Sequence, residues 1–156
     1  IVEGVRSLMD IMLVEDEAGV ERCYPLMSTL RPHLSREAFV AAVRRMEAAH
    51  GYRLVKLEEG GKLCALAGIR MGEWLHRGRY LEVDELVTDE GERSRGYGRA
   101  LLAWIADYAR AQGCDQVRLV SGVQRVDAHR FYEREGMRFE AKYFSMDLGQ
   151  APRARS

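Results

Sequence analysis

Residues 80–112 read YLEVDELVTDEGERSRGYGRALLAWIADYARAQ and contain, in order, an alternating strand pattern, a basic turn with two glycines and a long amphipathic helix pattern. The strand pattern covers residues 79–88, and the turn ends in Arg93-Ser94-Arg95-Gly96-Tyr97-Gly98. A glycine-bearing turn between a strand and a helix presents backbone N–H groups and the positive end of the helix dipole to an anion. This stretch therefore predicts an anion-binding loop, and the rest of the chain must indicate which anion.

The bulk composition limits the class of protein. The 156 residues suit one domain with its own hydrophobic core. Lys plus Arg and Asp plus Glu each total 24, so the formal net charge is zero, which disfavours a nucleic-acid-binding or membrane-binding protein. The three cysteines show no CxxC or Cys/His spacing, which predicts free thiols and no metal site. We expect a cytoplasmic protein whose single domain covers residues 1–156, with frayed ends at 1–8 and 149–156.

Hydrophobic periodicity predicts the secondary structure along the chain. The predicted strands cover residues 10–14, 52–57, 62–71, 79–88, 116–121 and 137–148, and the predicted helices cover 18–30, the span between Ser35 and Gly51, the span from the glycine turn to Gly113, and 126–135. Pro25 predicts a kink or a break in the first helix, Gly60-Gly61 a hairpin tip and Gly68 a bulge or a point of close approach. A strand, a helix and a strand around residues 79–121 imply a parallel crossover. The expected fold is α/β (α+β), with a mixed, mostly antiparallel central sheet flanked by helices.

Two common phosphate-binding motifs are excluded by single residues. A GxGxxG dinucleotide motif would need glycine where Leu101 stands, and a P-loop would need Gly-Lys-Ser/Thr where the chain has Gly98-Arg99-Ala100. What remains is RxxGxG at residues 93–98, followed about thirty residues later by AxxFYxxxGM at residues 128–137. These two motifs and the order of elements across roughly the whole chain resemble the GNAT superfamily of N-acetyltransferases.

The resemblance implies that acetyl-CoA is the co-substrate and that the turn amides hold its pyrophosphate. It also implies that the pantetheine arm pairs with the backbone of Leu86, Val87 and Thr88, as an added strand would. Many family members have Asn where this chain has Arg125, so we expect Arg125 to contact a phosphate or the acceptor instead. The expected cofactor-binding residues are Leu86, Val87, Thr88, Arg93, Ser94, Arg95, Gly96, Tyr97, Gly98, Arg99, Arg125 and Tyr132.

Acetyl transfer to an amine requires a base for the amine and an acid for the departing thiolate. An alkylamine has a pKa of about 10.4 and must lose a proton, while a phenol of pKa about 10 can protonate a thiolate. The resemblance implies that Tyr132 is this acid; the alternative is an aromatic residue that only packs its helix on the sheet. The candidates for the base are Glu82, Asp84 and Glu85, of which Glu82 matches the family position, although it could instead bind the acceptor. Period-two alternation predicts Glu82 and Asp84 on one face of the strand and Glu85 on the other.

The leading functional hypothesis is acetyl transfer to the primary amine of a small molecule by direct attack in a ternary complex. Acetylation of a protein N-terminus or lysine, and a non-catalytic acyl-CoA-binding sensor, are the alternatives. The three acidic residues favour a cationic acceptor, whose pocket we expect between the first two helices and the loop 72–78 that carries Trp74 and His76. We expect His129 to lie on the surface or to cap its helix. We expect Trp104 to lie in the core and Cys114 to be an inert thiol. The family resemblance is compatible with a homodimer.

Overall fold

The structure is a computed structural model that describes residues 8–92 and 95–149, and Arg93 and Ser94 of the predicted loop lie outside the described residues. Its elements, in chain order, are β1 (Met9–Leu13), α1 (Glu17–Leu30), α2 (Arg36–His50), β2 (Arg53–Glu59), β3 (Lys62–Trp74), β4 (Gly78–Thr88), a 3-10 turn (Glu90–Glu92), α3 (Tyr97–Ala111), β5 (Gln116–Leu119) and α4 (Val126–Arg134). This order confirms the predicted α/β class up to the last helix.

The five strands form one open sheet in the order β1-β2-β3-β4-β5. Strands β1 to β4 are antiparallel neighbours, and β5 lies parallel to β4, as the crossover through α3 predicted. Two hydrophobic clusters cover the two faces of the sheet. One contains Leu81, Val83 and the buried face of α3, and the other contains residues of α1 and α2 with Tyr52 and Leu66. Strand β4 is therefore the strand at which the sheet changes from antiparallel to parallel pairing.

Helices α1 and α2 begin at side-chain caps, as acidic and hydroxyl residues before an apolar pattern predict. Asp16 accepts a hydrogen bond from the Gly19 amide at 2.6 Å, and Ser35 accepts one from the Ala38 amide at 3.1 Å. The predicted break at Pro25 is wrong, because α1 continues through it to Leu30. Proline has no N–H to bond the carbonyl four residues earlier, and that carbonyl, of Glu21, accepts instead from Arg36 Nη1 at 3.2 Å.

The β3–β4 hairpin is longer than the sequence pattern predicted. Strand β3 continues to Trp74 and β4 begins at Gly78, so the expected loop 72–78 reduces to residues 75–77. The two strands stay paired in this region because Gly72 has no side chain. The ring of Tyr80, the partner of Gly72 on β4, lies in the space that a Cβ at position 72 would occupy. The loop therefore offers less surface to an acceptor than we expected.

The predicted last strand, residues 137–148, is absent from the described part of the chain. Residues 137–149 follow α4 without joining the sheet, and the large apolar side chains from Phe139 to Leu148 are exposed. An alternating pattern predicts that a segment is able to form a strand. The strand forms only if a free edge of a sheet lies within reach of the segment. The sequence pattern could not show whether this chain supplies that edge to its own segment.

Candidate active site

Strand β4 has two different halves. Residues Tyr80 to Val83 pair with β5 on one side and with β3 on the other. From Glu85 to Thr88 the strand remains paired with β3, while its pairing with β5 has ended at Val83. Among the described residues, the second half of β4 thus has no strand on one edge, which leaves backbone groups that an extended ligand could pair with.

A β-bulge marks the boundary between the two halves. Gly68 of β3 pairs with Glu85 and Ile69 pairs with Val83, so Asp84 is an extra residue on β4. Val83 belongs to the cluster under α3, whereas Glu85 contacts Tyr52 in the cluster under α1 and α2. The prediction that Glu85 faces away from Glu82 is therefore wrong, because the extra residue shifts the period-two alternation.

The three carboxylates on this strand are each paired with a different arginine. The pairs are Glu82 with Arg118 at 3.0 Å, Asp84 with Arg70 at 2.9 Å and Glu85 with Arg31 at 3.8 Å. The positive and negative charges of these six side chains balance. The acidic strand thus gives no excess negative charge to this face of the sheet, and the argument for a cationic acceptor loses its basis.

Glu85 is a largely buried carboxylate that contacts a tyrosine as well as an arginine. Tyr52 Oη donates a hydrogen bond to Glu85 Oε2 at 2.7 Å, and the side chain of Glu85 is only 14% exposed. Burial raises the pKa of Glu85, although the hydrogen bond from Tyr52 opposes this effect. A Cβ on Gly68 would overlap with both atoms of this hydrogen bond. Gly68 is thus required for the close approach of the two side chains.

Glu82 is the carboxylate that lines a cavity. The cavity has a volume of about 500 Å³ and is lined by Ala49, His50, Arg70, Met71, Tyr80, Glu82 and Arg118. The Arg118 guanidinium lies over the rings of both Trp74 and Tyr80, at 3.8 and 3.7 Å from their centroids. Its Nε is buried and has no hydrogen-bond partner among the described residues, which leaves a donor for a ligand or a water molecule.

The N-terminus of α3 is open toward the turn that precedes it. Gly96 adopts a left-handed conformation (φ 80°) and provides no side-chain cap. The first intrahelical bond runs from the Ala100 amide to the Gly96 carbonyl at 3.0 Å, and the helix amides before Ala100 have no carbonyl of this helix to bond. A Cβ on Gly96 would meet no atom within 4 Å. The turn therefore leaves open space beside uncapped helix amides.

The side chains around this turn divide into core and surface. The ring of Tyr97 lies in the cluster under α3, so only its backbone can contact a ligand at the turn. Arg95 is exposed, and Arg99 is paired at 3.6 Å with Glu135, the residue that follows α4. The C-terminal half of β4 is close by, since a Cβ on Gly98 would lie 3.8 Å from Thr88 Cγ2. Leu86 and Val87 pack against opposite clusters, so their backbone alone faces the open edge.

Helix α4 packs against the start of α3. A Cβ on Gly98 would lie 3.3 Å from Phe131 Cζ, so glycine allows the ring to approach closely. Tyr132 is half-buried, and burial raises its pKa, an effect that the nearby charge of Arg125 opposes. Arg125 itself stands at the N-cap of α4. The structure thus brings Tyr132 and Arg125 together near the start of α3.

The remaining predicted residues occupy unremarkable positions. His129 Nε2 lies 2.8 Å from the Gly122 carbonyl, His76 stacks on Trp74, and Trp104 stacks on Tyr108 at the edge of the core. Cys114 is half-buried. In the part of the chain that the structure describes, no cluster of three His, Cys, Asp or Glu side chains could hold a metal ion. No helix in that part is long and apolar enough to span a membrane.

Arg70 and Arg118 were not identified from the sequence, although a signal was present. Each is a charged residue between two apolar ones in a predicted strand, in Ile-Arg-Met and Val-Arg-Leu. Alternation places such a residue on the opposite face from its neighbours. Applied to both strands, the pattern would have predicted two arginines facing the same side as Glu82.

Comparison with known proteins identifies relatives over most of this fold. The model of the acetyltransferase (GNAT) family matches residues 20–137. An uncharacterized N-acetyltransferase, YhdJ of Bacillus subtilis, is 38% identical over 122 residues, covering 78% of this chain and 86% of the relative. An aminoalkylphosphonate N-acetyltransferase of Salmonella typhimurium is 32% identical over 73% of this chain and 72% of its own length.

A solved structure shows the same architecture at low sequence identity. The aminoglycoside N-acetyltransferase AAC(6')-Iy, in complex with CoA, superposes with a TM-score of 0.80 over 93% of this chain and 98% of its own, at 16% identity. At this identity the likeness concerns the fold. Taken with the family model and the relatives above 30% identity, it leads to one conclusion: this chain belongs to the GNAT family and is an acetyl-CoA-dependent N-acetyltransferase.

Proposed function

We propose that this protein transfers the acetyl group of acetyl-CoA to the primary amine of a small molecule, which attacks the thioester directly while both substrates are bound. The observation that carries the proposal is the arrangement of β4. Its open half, Glu85 to Thr88, runs toward the uncapped start of α3, and its paired half places Glu82 in a cavity. One strand therefore connects a site for an extended cofactor with a site for an acceptor.

The described residues fit acetyl-CoA, which would supply the thioester carbon to be attacked. The amides at the start of α3 and the turn around Gly96 would bind the pyrophosphate, because uncapped helix amides favour an anion. The backbone of Leu86, Val87 and Thr88 would pair with the pantetheine arm. Arg95 and Arg99 lie beside this turn and add positive charge; Arg93 and Ser94 would complete it. Arg125, at the start of α4, is placed for a phosphate or for the acceptor.

Glu82 is our candidate for the base. It lines the cavity, and Asp84 and Glu85 do not, so an acceptor amine in the cavity would meet the carboxylate of Glu82. In the reaction the amine nitrogen forms a bond to the thioester carbon, the carbon–sulfur bond breaks, and the ammonium proton passes to Glu82 directly or through water. Arg118 holds this carboxylate in place from one side.

Tyr132 is our candidate for the acid. The phenol carries its proton at neutral pH and can donate it to the sulfur as the carbon–sulfur bond breaks; the phenolate then regains a proton from solvent. Burial raises the pKa of Tyr132 and weakens it as an acid, while the charge of Arg125 opposes this effect and favours the phenolate. Its position next to Phe131, which packs on the start of α3, brings it to the same end of β4 as the cofactor amides. Proton transfer from Tyr132 to the departing sulfur completes the exchange.

The acceptor that best suits the cavity carries both an amine and an anionic group. Glu82 can receive the amine, while Arg70, Arg118 and His50 line the same cavity and can bind an anion. The aminoalkylphosphonate N-acetyltransferase is named for an acceptor of this kind, which supports the choice. A purely cationic amine could pair with Glu82 but would make no use of the donors that the cavity arginines offer beyond their carboxylate partners, such as Nε of Arg118.

The experiment that tests the proposal follows free thiol release from acetyl-CoA with a panel of amines. The panel contains aminoalkylphosphonates, amino acids, polyamines, aminoglycosides and a peptide with a free N-terminus. We expect turnover with the zwitterionic small molecules and the highest kcat/KM with an aminoalkylphosphonate. If the peptide is the only amine that is acetylated, the acceptor is a protein and not a small molecule. Binding of acetyl-CoA without turnover of any acceptor would favour a sensor.

A further inference from the structure

Arg31 connects the end of α1 to the bulge of β4. Its Nη2 donates a hydrogen bond to the carbonyl oxygen of Asp84 at 3.2 Å and lies 3.8 Å from Glu85 Oε1. The backbone of Arg31 is fixed on both sides, because its amide bonds to the Met27 carbonyl at 2.8 Å and its carbonyl accepts from the Leu34 amide at 3.3 Å. The guanidinium therefore reaches the strand from a fixed point.

The carbonyl of Asp84 needs a partner from outside the sheet. Asp84 is the extra residue of the bulge, and among the described residues it is matched to no residue of β3 or of β5. The extra residue of a bulge is left out of the ladder, and a backbone polar group that finds no partner destabilises the fold. Arg31 supplies the donor, and its side chain is only 26% exposed, so the bond is partly shielded from water.

The same peptide unit carries the first amide of the open half of β4. A peptide unit is planar and trans, so the carbonyl of Asp84 and the N–H of Glu85 point in opposite directions. A hydrogen bond that fixes this carbonyl therefore fixes the direction of the Glu85 N–H as well. Arg31 thus sets the orientation of the peptide at which the open half begins.

The side chain of Glu85 is held independently of this backbone contact. Tyr52 donates a hydrogen bond to it at 2.7 Å, and the absence of a side chain at Gly68 permits the approach. At 3.8 Å the guanidinium of Arg31 is too far from Glu85 Oε1 for a hydrogen bond, so only the attraction between the charges acts there. The bond to the Asp84 carbonyl is thus the shorter and more directional of the two contacts that Arg31 makes with β4.

We propose that Arg31 is a positioning residue for the cofactor, which holds the backbone at the start of the open half of β4 in the orientation with which the pantetheine arm pairs. The inference rests on the proposed binding of acetyl-CoA along residues 86–88. Arg31 acts through the peptide of Asp84 and takes no proton in the reaction. Its loss should therefore weaken the binding of the cofactor and leave the proton transfers assigned to Glu82 and Tyr132 unchanged.

The affinity for the cofactor tests the proposal and does not depend on turnover. Isothermal titration calorimetry gives the Kd of acetyl-CoA for the parent chain and for Arg31→Ala. We expect the Kd of Arg31→Ala to rise on the order of tenfold, the scale of one lost hydrogen bond to a charged group. The matched control is Arg44→Ala, because Arg44 forms an exposed pair with Glu17 between α2 and α1 and should leave the Kd unchanged.

A second variant separates the two contacts that Arg31 makes with β4. Glu85→Gln removes the attraction between the charges, keeps an acceptor for Tyr52 and leaves the Asp84 carbonyl in place, so it should bind acetyl-CoA as the parent does. Millimolar guanidinium chloride, far below denaturing concentrations, should restore part of the affinity of Arg31→Ala by donating to the same carbonyl. A variant that had only lost stability would not regain affinity in this way. Circular dichroism should show the helix signal of the parent in every variant.

Steady-state kinetics supplies the last measurement. In Arg31→Ala we expect the KM for acetyl-CoA to rise, while the KM of the best amine and the pH profile of kcat stay as in the parent. An unchanged Kd in Arg31→Ala, an equal loss in Glu85→Gln, no rescue by guanidinium or a shifted pH profile would each overturn the proposal. Any of these results in a parent that binds acetyl-CoA would leave the proposed acetyl transfer intact. If the parent itself did not bind acetyl-CoA, the proposed function would fall together with this inference.

Discussion

The two halves of β4 differ in what lies beside them, and this difference accounts for the position of the site. The first half, Tyr80 to Val83, is paired on both edges and buries Leu81 and Val83 completely or nearly so. The second half, after the bulge at Asp84, is paired on one edge only. Continued pairing with β5 would have closed this edge, but β5 ends at Leu119, opposite Val83. The open edge therefore begins where the bulge also shifts the side chains of β4.

The first way to test this comparison is to neutralise the carboxylate of the paired half. Glu82→Gln keeps the shape of the side chain and removes its capacity to take a proton, so we expect kcat to fall by about 10²–10⁴-fold. Steady-state thiol release with the best amine of the panel measures this effect. Glu58→Gln is the matched control, because Glu58 is a paired carboxylate on β2, bonded to Lys56 at 2.9 Å. An equal loss of kcat in both variants, or no loss in Glu82→Gln, would show that Glu82 is not the base.

The second test concerns the open half and the acid beside it. Tyr132→Phe should lower kcat by about 10²-fold at neutral pH with little change in the KM for acetyl-CoA, because the ring still packs while the proton is lost. Tyr108→Phe, on the side of α3 that carries Trp104, is the control and should retain the parent rate. A thioester with a less basic leaving group should recover part of the activity of Tyr132→Phe. If it recovers none, Tyr132 does not protonate the sulfur.

The third test disturbs the boundary itself. Gly68→Ala places a methyl group against Tyr52 and Glu85, so the bulge must shift or the hydrogen bond must break. We expect a loss of about 1–3 kcal/mol in the free energy of unfolding, the usual effect of overpacking. Urea unfolding measures it, with Gly91→Ala as the control, since a Cβ there would meet Asp89 Oδ1 at 3.4 Å. Equal stability of the two variants would show that the bulge tolerates a side chain.

The smallest expected effect is the pH dependence of stability that Glu85 contributes. Its folded-state pKa is raised, so the folded protein holds a proton that the unfolded chain has already released. As pH rises from the unfolded pKa through the raised folded pKa, stability is lost. The variant Glu85→Gln lacks this loss, so its stability relative to the parent should increase between acidic and neutral pH. Urea unfolding at several pH values from 4 to 8 measures the difference; a difference that stays constant or changes in the opposite direction contradicts the raised pKa.

Most of the fold and part of the site follow from the sequence. Local signals located the helix caps at Ser35 and Gly51, the hairpin at Gly60-Gly61 and the point of close approach at Gly68, whereas the extra residue of the bulge, Asp84, lies on the partner strand. The face of Glu85 could not be predicted, because a bulge moves every later side chain to the other side of the strand. The arginine partners of the carboxylates were not predicted for a similar reason. Arg118 comes from β5, thirty-six residues after Glu82, and only the pairing of the two strands brings them together.

The measurement that tests the central claim most directly is amide hydrogen exchange with and without acetyl-CoA, followed residue by residue. The claim is that the open edge of β4 binds the cofactor. We predict slower exchange for amides among Leu86, Val87 and Thr88 and for those at the start of α3, with little change for Leu81 and Val83, which are already paired on both sides. Protection that spares residues 86–88 while acetyl-CoA raises the melting temperature would contradict the account, because the cofactor would then bind elsewhere.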